Sequence, residues 1–324
     1  MIGICNFSII ILNFMQRKTI LAALFFLITA YSFGQKALIQ CTNQNNPDKS
    51  VSINANAMVS ADYTIRIVFS TLAGYTSRSL YTPNIALAVV NRGFTEVMKL
   101  VQDNSSNHTF QYKYQFFPGH SFTKMPDTGF QYLLPASEGN RVRVSAVSST
   151  VSFLSQMMGR EWRGTNFIYK LNDTICAARA GIVYDFNDTT KTGEKVEVAV
   201  NSGRNRILIE QRDGTIGTYG ITAPIKMLVK QGDEVFPGQP LAVFNVESPR
   251  YTTIFSVSYL DEKKLLKENN PDNTFYYNYI PVYFYANENE RSTSLQIRTD
   301  YKVVHPKDII SKEMTRKEKK KFGY

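Results

Sequence analysis

The sequence predicts an all-β protein whose first half is an antiparallel β-sandwich. Its 324 residues include 19 Tyr and 21 Phe, and flat aromatic rings suit the pleated surface of a sheet. Short runs that alternate apolar and polar side chains recur between turn residues, as strands do. The dipeptide Asp213-Gly214, which lies between two aliphatic runs, is a strong hairpin signal. These three observations favour strands throughout.

The first half contains two clear alternating runs, Ser60–Phe69 and Gln111–Phe116. Between them, Asn91–Gln102 is predicted to form one short helix. Pro and Gly punctuate the chain after residue 125, so we place a domain junction between residues 125 and 141 and a β-rich domain over 35–135.

The second half, 136–290, carries further strand signals joined by turns that contain Gly and Asp. The predicted strands are Arg141–Val147, Ala177–Tyr184, Glu194–Val200, Asn205–Glu210, Thr215–Tyr219, Gln239–Phe244, Tyr251–Tyr259 and Phe275–Tyr285. A charged helical turn is predicted at Asp261–Glu268. Residues 291–324 are predicted to form a C-terminal strand and a basic tail.

The N-terminus has the pattern of a secretory leader. Arg17 and Lys18 precede the apolar stretch Thr19–Tyr31, and Ser32–Gly34 supplies small residues at a cleavage site. The apolar stretch is shorter than the roughly 20 residues that cross a bilayer. We therefore expect residues 1–34 to be a signal peptide and the protein to be exported to the periplasm or cell envelope. Met15 would be a more ordinary start, so residues 1–14 are a candidate mis-called start.

The formal charge of +10 is not spread over the folded body. The leader contributes +2 and the segment Lys312–Lys321 contributes +4, which leaves +4 for the rest. Nucleic-acid binding requires cations clustered on a folded face, so no nucleic-acid partner is expected. The C-terminal charge run is predicted to be a solvated tail.

Two cysteines, Cys41 and Cys176, remain after removal of the leader with Cys5. Export to an oxidising compartment leaves a disulfide between them open, because sequence alone does not place their Cα atoms. Cys176 lies in an apolar strand with no His nearby in sequence. It is therefore predicted to be a buried apolar residue and not a nucleophile.

A succession of motifs in the second half keeps a consistent order and spacing. The motifs are Thr174–Val183, Arg206–Ile209, Asp213-Gly214, Thr218-Tyr219 and Val229–Ala242. Over roughly Arg160–Leu260 this succession resembles the lysostaphin/LytM-type zinc endopeptidases that cleave peptidoglycan cross-links. The resemblance implies a barrel-sandwich hybrid for the second half, with Gly232 and Gly238 flanking a chain reversal.

Enzymes of that family hold one zinc ion with two His and one Asp. The resemblance places a His and an Asp in Arg163–Phe167, a further His at Ile221, and the last His-x-His within Tyr251–Tyr259. None of these stretches contains His, and the chain's three histidines, His108, His120 and His305, all lie outside Arg160–Leu260. We therefore predict a degenerate domain with no catalytic residues, no metal and no cofactor. Its predicted degenerate groove consists of Arg163, Phe167, Asp213, Tyr219, Ile221 and Tyr251.

Other chemistries remain as alternatives. Scattered carboxylates could build an atypical peptidase site from Asp185, Asp188, Glu194 and Asp213. His108, His120 and Asp127 could together hold a metal ion. Two histidines on loops are, however, more often surface residues or hydrogen-bonded core residues. The run Val229–Leu241 also resembles the half-motif of biotinyl and lipoyl carrier domains, but Asn245–Pro249 lacks the modified Lys.

The resemblance and the leader together predict an exported, non-catalytic peptidase-like protein. It is expected to bind peptidoglycan or an envelope protein, as a regulator or a scaffold. The alternatives are an active murein metalloendopeptidase with an atypical site and a carrier-barrel-like adaptor of an envelope complex. The oligomeric state is left open.

Overall fold

The computed structural model describes residues 39–59, 61–122, 125–126, 128–147, 163–187, 205–267, 276–286 and 295–324. These residues carry 23 strands and three short helices, which confirms the predicted all-β class. The predicted leader lies outside the described residues. Among the helices described, none has the length and apolar character that crossing a membrane requires.

The first eight strands form two antiparallel sheets of four strands each among the described residues. Their bounds are β1 Ile39–Asn45, β2 Val51–Ala57, β3 Tyr63–Ala73, β4 Tyr75–Thr76, β5 Leu80–Thr82, β6 Ile85–Val90, β7 Gly93–Gln102 and β8 Thr109–Pro118. One sheet has the order β1-β2-β7-β4 and the other has the order β5-β6-β3-β8. Apolar residues of both sheets share one buried cluster, which includes Ile53 of the first and Ile65 of the second. The runs Ser60–Phe69 and Gln111–Phe116 supply the neighbouring strands β3 and β8.

The helix predicted over Asn91–Gln102 is wrong. Strand β7 occupies this segment and pairs with β2, from Gly93 opposite Ala57 to Leu100 opposite Val51. Pairing with a strand some 40 positions away along the chain, and burial in the shared cluster, outweigh the local preference of these residues.

The remaining strands build one large sheet and two small ones. Their bounds are β9 Ser121–Phe122, β10 Gln131–Leu133, β11 Arg141–Ser145, β12 Thr165–Ile168, β13 Thr174–Cys176, β14 Gly181–Asn187, β15 Asn205–Gln211, β16 Ile216–Ile221, β17 Lys226–Met227, β18 Glu234–Val235, β19 Pro240–Val243, β20 Thr252–Asp261, β21 Tyr277–Ile280, β22 Tyr283–Tyr285 and β23 Asp300–Lys302. Within the described residues the large sheet runs β18-β14-β15-β16-β20-β12-β11-β23, and β9 and β21 also pair with β20. The small sheets are β13-β19-β17 and β10-β22. The helices are α1 Glu262–Leu265, α2 Lys307–Ile310 and α3 Arg316–Phe322.

Most strands predicted in the second half are present. The hairpin predicted at Asp213-Gly214 is confirmed, since β15 and β16 pair from Glu210 opposite Ile216 to Asn205 opposite Ile221. The predicted strand at Tyr251–Tyr259 is confirmed as β20, and the helical turn after it as α1. The strand predicted over Glu194–Val200 lies outside the described residues, and β14 begins at Gly181, four residues later than predicted.

Contacts link the first sheets to the large sheet. Strand β9 pairs in parallel with β20, placing Ser121 opposite Leu260. The ring of Tyr184 in β14 belongs to the apolar cluster of the first eight strands, and its centroid lies 4.6 Å from that of Tyr63. The domain boundary placed near residue 135 stays a prediction.

The C-terminal segment, predicted to be a strand and a solvated basic tail, folds against the second half. Strand β23 pairs with β11, and α3 begins with a reciprocal capping box between Thr315 and Glu318. The ring of Phe322 lies 4.8 Å from that of Phe236. The basic side chains Lys317 and Lys320 remain exposed, so the charge is solvated although the backbone is anchored.

Gly181 marks a close approach between β14 and β15. A Cβ atom there would lie 2.2 Å from the carbonyl oxygen of Glu210. Because the obstructing atom is backbone in a paired strand, we expect Gly181→Ala to lower the free energy of unfolding by about 1–3 kcal/mol. Urea unfolding measures this loss. Gly220→Ala is the matched control, since its Cβ would meet nothing closer than 3.7 Å, and equal stability of the two variants would contradict the prediction.

Candidate functional site

The three segments that the resemblance assigns to zinc binding converge in the large sheet. Phe167 of β12 and Ile221 of β16 both lie opposite Thr253 of β20. Directly opposed residues of antiparallel strands share one face of the sheet. These three segments therefore lie side by side in the sheet, although they are far apart along the chain.

Apolar side chains fill this point of convergence. Phe167 is 0% exposed, Ile221 is 1% exposed and Thr253 is 0% exposed. The rings of Phe167 and Phe284 meet edge to face with centroids 5.3 Å apart. A zinc ion needs Cys, His, Asp or Glu donors, and none of the three residues at this point supplies one.

Tyr219 is held beside this point as a structural residue. Its hydroxyl oxygen accepts a hydrogen bond from the Ala178 amide at 2.8 Å, and its ring lies 4.8 Å from that of Phe255. Burial holds the pKa of Tyr219 above its ordinary value. The hydroxyl is therefore neutral at physiological pH and serves to position the turn before β14.

The other predicted groove residues lie apart from this point. Asp213 lies in the β15–β16 turn, roughly 25 Å along the hairpin from Ile221. Tyr251 packs its ring against Phe244 and accepts a hydrogen bond from the Ser248 amide at 2.8 Å. Arg163 is exposed just before β12. The structure thus brings Phe167 and Ile221 together, surrounds them with core residues and leaves Arg163 nearest to solvent.

Arg179 is a buried residue that was not predicted from the sequence, and it organises the turn at Asp213. Arg179 is 4% exposed, and its guanidinium donates to Glu313 through two nitrogens, at 2.6 Å for the closest contact. It also donates to Asp213 at 2.8 Å and to the Gln211 side chain at 3.1 Å. Its carbon Cζ lies 3.8 Å from the centroid of the Phe130 ring. The sequence signal that could have identified this residue was a single Arg within a run rich in Ala and Gly.

The charge on Arg179 is retained although the side chain is buried. Desolvation would lower its pKa, but the hydrogen bonds that it donates to Glu313 and the nearby Asp213 carboxylate raise the pKa above its ordinary value. Burying a guanidinium is tolerated because its donors are paired. This network ties the hairpin turn to the C-terminal segment that contains Glu313.

Arg212 makes a second link to the same segment. Its guanidinium donates to Glu318 at the start of α3, at 3.0 Å through Nη1, and to Glu234 at 2.8 Å. The guanidinium also lies 5.5 Å from the centroid of the Phe236 ring. The β15–β16 turn is therefore covered by the C-terminal segment, so Asp213 serves a structural network.

The three histidines are far apart. His108 and His120 lie at opposite ends of β8, a ten-residue strand that spans roughly 33 Å, so they do not share a metal ion. Asp127 lies outside the described residues. His305 lies beside Gly238, and its Nε2 donates to the Ala136 carbonyl at 3.0 Å.

His305 makes stability depend on pH in a definite direction. Burial lowers its pKa, which outweighs the opposing effects of the Ala136 hydrogen bond and the Glu138 carboxylate. Its stabilising contribution is therefore complete above the unfolded value of about 6.5 and is lost as pH falls through the folded pKa. We expect the free energy of unfolding to fall less steeply between pH 7 and 5 in His305→Gln than in the wild type. Urea unfolding across this range tests it, and the same flattening in His108→Gln would contradict it.

The remaining candidates from the sequence are the carboxylates of the atypical site and the two cysteines. Asp188 and Glu194 of the atypical carboxylate site lie outside the described residues, and Asp213 is engaged by Arg179. Cys41 and Cys176 are free thiols. Cys41 packs against the apolar cluster of the first eight strands, Cys176 is 1% exposed, and burial raises the pKa of each to about 11. Cys176 is therefore a protonated core residue, as predicted, and the disulfide left open by the sequence is not formed here.

Comparisons with known proteins give little guidance. No family model and no curated protein matches this chain. Among solved structures, Helicobacter pylori Csd3 is similar at 13% identity, over 89% of this chain and 77% of that chain, with a TM-score of 0.25. A TM-score this low carries no argument about fold or function. The peptidase resemblance therefore rests on the sequence motifs alone.

Proposed function

We propose that this protein is an exported, non-catalytic relative of the lysostaphin-type peptidases that acts by binding in the cell envelope. One observation carries the proposal. The three segments that would supply zinc ligands meet at Thr253, but Phe167 and Ile221 occupy the ligand positions and are buried. This placement of apolar residues supports a domain without zinc chemistry at that point.

The chemistry of the replaced positions supports this proposal. A catalytic zinc site needs three protein donors and an open coordination position for water. Phenylalanine and isoleucine offer no donor, and both side chains are buried. Restoring a site would require several simultaneous substitutions of core residues, each of which would bury an unpaired polar group.

The proposed partner is peptidoglycan or an envelope protein, with a regulatory or scaffolding role. The leader pattern supports export, and Arg163 is exposed just before β12. Binding at that position would place a cation next to a ligand, and peptidoglycan stem peptides carry carboxylates that suit it.

Co-sedimentation with purified murein sacculi tests wall binding of the full-length exported product. Cross-linking to solubilised envelope proteins in parallel tests a protein partner. We expect retention in one of the two experiments, and weaker retention for Arg163→Glu than for the matched exposed control Arg141→Glu. A murein turbidity assay with added zinc is expected to show no lysis. Zinc-dependent lysis, or failure to bind in both experiments, would overturn the proposal.

A further inference from the structure

We propose a divalent-cation site formed by Asp62, His120 and Glu210, away from the point where the resemblance places zinc. The three residues come from distant parts of the chain, yet one ligand atom from each lies within 4.8 Å of the other two. The expected cation is zinc or manganese, because the donors are one imidazole, which suits zinc, and two carboxylates, which suit manganese.

Backbone hydrogen bonds position the first two ligands. Asp62 comes directly before β3, and its carbonyl accepts from the Gly119 amide at 2.9 Å. The Gly119 carbonyl in turn accepts from the Thr64 hydroxyl at 2.7 Å. His120 follows Gly119, so the segments that carry Asp62 and His120 are tied together. Their side chains meet at 2.5 Å between Nε2 of His120 and Oδ2 of Asp62.

The third ligand comes from the interior of the large sheet. Glu210 belongs to β15 and pairs with Ile182 of β14 on one side and Ile216 of β16 on the other. Its Oε2 accepts from the Asp62 amide at 2.9 Å. A ligand on a strand bonded on both sides is rigidly placed, as a metal site requires.

One carboxylate of this cluster is buried without a basic Lys or Arg partner among the described residues. Glu210 is 7% exposed, so its carboxylate is largely removed from solvent. Within the part of the chain that the structure describes, no Lys or Arg forms an ion pair with Glu210. A divalent cation would neutralise both carboxylates, which is how buried carboxylates are commonly stabilised.

The geometry also leaves coordination positions for solvent. The side chains of His120 and Asp62 are 42% and 30% exposed, so an ion can reach the cluster and keep bound water on its outer side. With bonds of about 2.0–2.2 Å, two ligand atoms on one ion lie at most roughly 4.4 Å apart. Small side-chain adjustments would therefore close the present cluster around a cation. The alternative interpretation is an ordinary ion pair between His120 and Asp62 without a metal ion.

The test uses the metal alone and does not depend on the proposed function. The full-length protein is stripped with EDTA, dialysed and equilibrated with zinc chloride or, separately, manganese chloride. Metal content by mass spectrometry is expected to reach one equivalent. At about a hundred times the dissociation constant, the melting temperature is expected to rise by about 5 °C.

Three variants locate the site. Glu210→Gln keeps the acceptor for the Asp62 amide but removes a charged ligand, and His120→Gln removes the imidazole. Both are expected to lose stoichiometric binding, whereas His108→Gln is expected to keep it. Circular dichroism shows whether each variant is folded, and the part-exposed His120 gives a test even if Glu210→Gln does not fold. A wild type that stays metal-free, or unchanged binding in His120→Gln, would overturn the proposal.

Discussion

Arg179→Met is expected to lower the free energy of unfolding by about 3 kcal/mol, because it leaves carboxylates that had been paired with a buried cation. The Arg179 side chain is 5% exposed, whereas those of Glu313 and Asp213 are 18% and 30% exposed. Water can therefore partly compensate the two carboxylates after the substitution. This partial solvation places the expected loss at the lower end of the usual range of about 3–5 kcal/mol.

Urea unfolding followed by circular dichroism measures the loss, and limited proteolysis shows where it acts. We expect cleavage to begin in residues 307–324, because Glu313 anchors that segment to Arg179. Arg179→Lys keeps the charge but not the planar fork, so a smaller loss is expected. Arg141→Met is the control for an exposed arginine, and a loss as large as that of Arg179→Met would contradict the network's role.

Phe255→Ala is expected to lower the free energy of unfolding by about 3–5 kcal/mol. Phe255 is 0% exposed, and its ring lies between those of Tyr219 at 4.8 Å and Phe284 at 5.9 Å. Truncation would open a cavity where three strands of the large sheet meet a strand of a small one. The surrounding strands are bonded to neighbours and can collapse only partly into the space.

Urea unfolding of two further variants distinguishes the cost of opening a buried cavity from the cost of losing any aromatic ring. Phe255→Leu refills much of the volume and is expected to cost less than Phe255→Ala. Phe94 is 67% exposed, so Phe94→Ala is the matched surface control. Should Phe94→Ala and Phe255→Ala prove equally destabilising, Phe255 would not be at the centre of this core.

The features predicted correctly are those encoded by neighbouring residues. The Asp213-Gly214 turn joins β15 and β16, and Gly232 and Gly238 both adopt positive φ at the predicted chain reversal. Alternating apolar residues formed strands in both halves. Each of these features depends on local backbone preference or on the side-chain period of a strand, which the order of residues states directly.

The features missed depend on residues that are distant along the chain. Asp62 and Glu210 are 148 positions apart, and Arg179 and Glu313 are 134 positions apart. Pairing with β2 made a strand of the segment predicted as a helix. Such contacts arise only when sheets close, because long-range pairing selects among local states of similar free energy.

The order of amino acids alone was enough for the all-β class, for the Asp-Gly hairpin and for the absence of histidine from the stretch that resembles a zinc peptidase. It also excluded a histidine-based zinc site there under any alignment. Only the tertiary structure shows that Phe167 and Ile221 both lie opposite Thr253, and that Asp62, His120 and Glu210 lie together. Composition and period are properties of the chain itself, whereas burial and side-chain proximity exist only after distant strands have paired.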